Sequence, residues 1–243
     1  MSQQFVIGCA LAVVVSSSAL AGLSVNYTQD VGGQNANPLA GLSARGTFTS
    51  SGTTLTILLE NTSTGVPLDF DASDSLLVSI AFNLPGIVIL SGDSAVIGPG
   101  SSGISAWSSR GAGDSVAEQW LWANGGGGDL LGAFNQVVST SSGVQGSGHL
   151  DFNGNSADVD GPFGGIASAP SHINIPGSQP AVSNSILFTL TLSSSLTADQ
   201  LNLLAHSSWV EYGSDQKYLG VPTPAGFAVF GLAALAPRRR RGH

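Results

Sequence analysis

One cysteine, Cys9, occurs in the chain, and it lies in an apolar run near the N-terminus. Past that run no thiol remains, which excludes disulfide staples, a cysteine nucleophile and any zinc site built on thiolates. Charge is almost as scarce. Only 9% of residues are charged and 7 are basic, four of these being the consecutive Arg238, Arg239, Arg240 and Arg241. Arg45, Arg110 and Lys217 are therefore the only bases set against 15 acids, all of which fall between Asp30 and Asp215. A stretch so poor in bases repels phosphate backbones and excludes nucleic acid as a partner. No repeat of fixed period and no long linker divides the chain, so one domain is expected between the two ends.

Present instead are two address-like termini. Residues 5–15, FVIGCALAVVV, form an apolar run of signal-peptide length, and Ala19-Leu20-Ala21 is the small-x-small pattern that a signal peptidase accepts. Cleavage is expected after Ala21, making 1–21 the signal peptide. The serines at 16–18 stop the run well short of the about 20 residues needed to span a bilayer. Val6-Ile7-Gly8-Cys9 looks like a lipobox only superficially, because most of the apolar run follows the cysteine.

At the other end, Ala225 to Ala236 is twelve residues without a polar side chain, headed by Pro222 and Pro224 and stopped by the four arginines. Proline keeps the entry extended, and a basic block after an apolar helix stays on the cytoplasmic side. With a signal peptide first, the domain lies outside and the arginines inside. Val221-Pro222-Thr223-Pro224-Ala225, the short apolar stretch and the terminal arginines resemble the PEP-CTERM sorting signal of exosortase-dependent bacterial proteins, with Thr223 where the commonest form has Glu. That resemblance covers residues 221–243. It implies transient anchoring in the inner membrane through a C-terminal helix, recognition and cleavage by an exosortase, and a final place at the cell surface or in the extracellular matrix of a biofilm.

Residues 22–220 read as all-β. β-Branched content and alternation mark strands at 23–29, 44–50, 53–61, 75–84, 86–92, 133–140, 185–193 and 208–213, punctuated by Gly, Ser, Asn and Pro. The expected architecture is a β-sandwich ectodomain, jelly-roll or Ig-like. Two short helices are expected: DSVAEQWLWAN (114–124), and the segment after Leu196, where Thr197 and Gln200 form a capping-box pattern. Many exosortase-dependent proteins carry an FTL strand, a helical excursion and a V-x-x-QYG-T-like strand before the tail. Val210-Glu211-Tyr212-Gly213-Ser214 resembles the last of these, and DVDGPFGGI (158–166) resembles their DG-x-x-FGI turn.

Candidate chemistry is sparse. In DFNGNSADVDG, Asp151, Asn153, Asn155, Asp158 and Asp160 offer hard oxygen ligands of the kind Ca²⁺ takes. An EF-hand loop fails there, since Ser156 and Pro162 occupy the positions of its Gly and Glu, which leaves a looser calcium loop or plain Asx turns. Asp69, Asp71 and Asp74 read either as a glycosidase-like carboxylate cluster or as an acidic turn. Trp107, Trp120, Trp122 and Trp209 could stack on sugars or belong to the core. No G-x-S-x-G elbow, H-E-x-x-H pair or phosphate-binding loop occurs. The sequence therefore points to a non-enzymatic surface or matrix protein. A carbohydrate- or calcium-binding module of the exopolysaccharide is the first alternative and a secreted hydrolase the second.

Overall fold

Alternation along the sequence becomes alternation in space. Leu55, Ile57 and Leu59 are fully buried, while Thr54, Thr56, Leu58 and Glu60 between them stay half-exposed. The computed structural model describes residues 19–33, 41–65, 73–125, 130–140, 147–155, 161–168, 175, 178–213 and 217–222. They are built mainly of β-sheet, with one α-helix. A five-stranded antiparallel sheet runs in the order β1 (Ala19–Tyr27), β3 (Ala44–Ser51), β4 (Thr54–Asn61), β13 (Ser185–Leu192) and β6 (Ile89–Ile97).

The second sheet is larger. Antiparallel neighbours connect β10 (Ser147–Asp151), β8 (Leu121–Asn124), β9 (Gln136–Ser139), β5 (Leu77–Phe82), β14 (Trp209–Tyr212), β15 (Lys217–Gly220) and β2 (Gln29–Gly32). The pair Ile166–Leu77 adds β11 (Ile166–Ala167), which carries β12 (Ala181–Ser183) in parallel and then β7 (Gly103–Ile104).

Both sheets send apolar side chains into one core. Phe48, Ile57 and Phe188 come from the first, Ile80, Val138 and Tyr212 from the second. Phe188 packs against Trp120 and Phe152, at ring-centroid distances of 4.8 and 5.6 Å. Gly92 in β6 lets the Trp122 ring come so close that a Cβ there would collide with it. The larger sheet buries its other face too, through Ala81, Leu121, Ala123, Phe134, Val137 and Tyr218.

Neutral polar groups link the elements. Tyr212 donates to the Ser43 carbonyl at 2.7 Å, and Asn61 Nδ2 donates to the Ile166 carbonyl at 2.7 Å. The Ser208 hydroxyl donates to the Ala205 carbonyl and so accepts from Tyr27, 2.6 Å away.

Most expected strands form, and the one at 86–92 is displaced to Ile89–Ile97. The helix α1 (Ala198–Ser207) begins as its capping box requires, with Thr197 Oγ1 accepting from Gln200 N at 3.2 Å and Gln200 Oε1 accepting from Thr197 N at 2.9 Å. Such a cap contributes about 1 kcal/mol. Leu201, Leu204 and Ala205 face the core. The helix expected over 114–124 does not form. Ile97 N and Val116 N bond to Asp114 O and Ala95 O and hold 114–116 against β6, a single 3-10 turn follows at Ala117–Gln119, and the rest becomes β8. Leu121, Trp122 and Ala123 are all buried because β8 has cover on both faces, a demand that a surface helix with one apolar stripe would not meet.

Two consequences are measurable. Truncation of the fully buried Phe188 to Ala lowers unfolding free energy by about 3–5 kcal/mol, read from urea denaturation of the full chain. Burial raises the Tyr27 and Tyr212 phenols well above their ordinary 10.0. The unfolded chain then releases these protons first, so both contributions are complete below about pH 10 and decline above it, by about 1.4 kcal/mol per pH unit for each tyrosine. Denaturation midpoints between pH 9 and 12 show this fall, and Tyr27→Phe makes it shallower.

Candidate functional site

The acidic loop flagged in the sequence is anchored by Asp151, the last residue of β10, whose side chain is buried. Its Oδ1 accepts from the backbone N–H groups of Asn153 at 2.9 Å and Asn155 at 2.8 Å, and Asn155 Nδ2 lies 3.4 Å from Oδ2. This is an Asx turn, in which the carboxylate satisfies its own loop. Asp158 and Asp160 lie outside the described residues, as do Asp69 and Asp71. Among the described residues no group of three His, Cys, Asp or Glu side chains is placed to hold a metal ion.

The tryptophans do not form a sugar-stacking face. Trp107, Trp120 and Trp122 are buried, Trp120 donating from Nε1 to the Gly164 carbonyl at 3.1 Å. Trp209 is half-buried and packs edge-on against Phe134, with ring centroids 5.1 Å apart. Arg110 lies 4.6 Å over the Trp107 ring, a cation–π contact.

One polar array escaped the sequence reading. Ser139, Ser79, Glu211 and Tyr218 are directly opposite one another on β9, β5, β14 and β15, and so form a row across one face of the larger sheet. The Ser139 and Ser79 hydroxyls are 2.5 Å apart, Ser79 donates to Glu211 Oε2 at 2.6 Å, and Tyr218 donates to Glu211 Oε1 at 3.3 Å. All four are closed to solvent. A nucleophile and carboxylate so enclosed reach no substrate, and their chemistry is internal satisfaction of a buried acid. The only hint in the sequence was a serine and a glutamate inside otherwise apolar strands, LVSIAF and WVEY. The remaining bases are likewise engaged: Arg45 with Glu60, Arg110 with Glu118 at 2.6 Å, and buried Lys217 with Asp30 at 2.5 Å.

Among the described residues two open grooves stand out. The larger, about 540 Å³, runs beside β1 at Ser24 and Asn26 and is bounded by His206 of α1 and by Val221 and Pro222. The smaller, about 430 Å³, lies by Leu84, Val88 and Asn124. Neither brings an acid, a base and a nucleophile together. The larger one marks where the chain leaves the sheet, since β15 ends at Gly220 and Pro222 is exposed. The start of the sheet also has a defect. Ala19 and Leu20 pair with Ser51 and Ser50, but pairing resumes as Leu23 with Phe48, so Ala21 and Gly22 share Thr49 as their single partner in a β-bulge.

Compared with protein-family models, with curated proteins and with solved structures, the chain matches none. Among the described residues no helix is long and apolar enough to cross a membrane, and the tail from Thr223 onward lies outside them.

The enclosed row makes its own prediction. Ser79→Ala removes a donor from a buried carboxylate and destabilises the domain by about 1–3 kcal/mol, read as a lowered urea midpoint with an unchanged slope.

Proposed function

We propose that this chain is an exported surface or matrix protein of a biofilm-forming bacterium. Its two sheets, antiparallel but for one short pair, form a β-sandwich ectodomain, jelly-roll or Ig-like, between a signal peptide and an exosortase sorting signal. Signal peptidase removes 1–21. The apolar tail holds the domain transiently at the inner membrane, and an exosortase then acts at Val221, Pro222, Pro224 and Ala225, with Arg238 to Arg241 on the cytoplasmic side. The mature protein acts structurally or adhesively rather than catalytically.

What carries this reading is the match between the address signals and the borders of the sheets. The expected scissile bond, Ala21–Gly22, coincides with the bulge of β1, the locally unpaired point of a strand at the sheet's edge. Cutting there gives up the pairs Ala19–Ser51 and Leu20–Ser50 and leaves Leu23 to Tyr27 in one unbroken register with β3. At the far end, Gly220 is buried between its partners in β14 and β2, and the sorting motif starts at the next residue. A processing enzyme needs an extended, unpaired substrate, so cleavage falls after Gly220 and spares the fold.

Intact mass of the protein from its native host, with fractionation of cells and medium, tests the proposal. The expected species begins at Gly22 and ends near Val221, in the surface or medium fraction. A membrane species retaining the four arginines would make the chain a plain tail-anchored ectodomain. A cytosolic species retaining Met1 would sink the proposal.

A further inference from the structure

The outward face of the five-stranded sheet carries a lattice of hydroxyl groups. Cross-strand pairing puts Thr49, Thr56, Thr189 and Ser94 in one row over β3, β4, β13 and β6. Thr54 and Thr191 form the core of a second row two residues further along. On the opposite side of the first row lies a half-exposed apolar one, Leu58, Leu187 and Val96. Among the described residues, the hydroxyls of Thr49, Thr54, Thr189 and Ser94 make no hydrogen bond within the protein. Charges on this face are few and each is already engaged. Arg45 and Glu60 form a bidentate pair at one end, and Asp93 at the other accepts from Ser91 at 2.6 Å and Thr191 at 2.7 Å.

We infer that this face binds a neutral polysaccharide. The inference rests on the surface or matrix location proposed above and names the partner there. Neighbouring strands stand about 4.8 Å apart, close to the advance of one pyranose along an extended chain, so a glycan laid along the first row meets a hydroxyl at each sugar. The apolar row beside it meets the C–H faces of the same rings, and the pairing of the two rows is the amphiphilic pattern of a sugar. Other partners fit less well. The face lacks the aromatic anchors that form the centre of protein interfaces, and with its only base paired it holds no free cation for an anionic polymer. Twist of roughly 20–25° between successive strands curves five strands away from any crystal plane, so a flexible chain suits the face better than an ice surface.

Affinity electrophoresis of the full chain tests this, using native gels cast with dextran, hydroxyethylcellulose or galactomannan, and with alginate as the acidic control. Retardation by at least one neutral polymer and none by alginate is expected. The triple variant Thr49→Val, Thr56→Val, Thr189→Val keeps β-branched side chains at exposed strand positions and so keeps the fold. It should bind at least about tenfold more weakly, while Thr62→Val, off this face, binds as the parent does. Absence of retardation by all three neutral polymers overturns the inference. So does a triple variant that binds undiminished, or inhibition of ice recrystallisation without glycan retardation. Intact mass decides the processing proposal separately, so either idea can fail while the other stands.

Discussion

Phe188 stands where the two sheets meet, its ring packed against those of Trp120 and Phe152. Its strand, β13, is paired on both edges and carries three further buried apolar residues, Ile186, Leu190 and Leu192. With Cys9 as its single cysteine, the chain has no internal disulfide to supplement its core. Apolar contact between the sheets therefore supplies the dominant stabilisation, and the rest of the structure is arranged so as not to weaken it. Gly92 illustrates that arrangement: a side chain there would displace the Trp122 ring, a member of the same core.

With so few ions available, the domain fixes its geometry with amides and hydroxyls. Asn124 bonds both the N–H and the carbonyl of Ile89, and Gln136 bonds Leu84 N and Ile87 O, which locks the turn that feeds β6. Neutral groups of this kind cost less to bury than charges and specify direction just as firmly. Among the described residues the buried charged exceptions are Asp151, Glu211 and Lys217, and Asp151 is held by its own turn. Lys217 meets Asp30, and Glu211 meets a row of hydroxyls.

How much of this was legible from sequence depends on whether a segment buries one face or two. Strands β3, β4 and β13 bury one face, so period-two alternation announces them. The capping box gave the start of α1, because Thr197 and Gln200 act locally and need no tertiary partner. Strand β8 buries both faces, and Leu121, Trp122 and Ala123 consequently show no period, so helix-forming neighbours such as Glu118 and Gln119 misdirect the reading. Strands of two or three residues, β7, β11 and β12, are too short for any period and are specified by what they pair with. The candidate site residues follow the same division. Asp151 was visible because acidic turns are local, whereas Ser79, Ser139 and Glu211 become a unit only through registers among three strands far apart in the chain.

The uneven use of charge ties the surface to the proposed role. Three bases in the domain are all engaged with acids, so net negative charge on the described surface comes from acids outside those pairs, such as Asp114 in its loop and Asp199 at the start of α1. Such charge keeps an extracellular domain dispersed and repels acidic polymers. The outward face of the smaller sheet departs from that trend, since its acids, Glu60 and Asp93, are drawn into bonds with Arg45, Ser91 and Thr191. Threonine there serves two masters: its β-branch favours an extended backbone, and at Thr49, Thr54 and Thr189 its hydroxyl stays free toward solvent. Strand propensity alone would be met equally by valine, whose exposure would create an apolar patch prone to association. A hydroxyl lattice keeps the face soluble while leaving it able to exchange water for the hydroxyls of a neutral glycan, an exchange in which hydrogen bonds are conserved and specificity comes from the spacing of the strands.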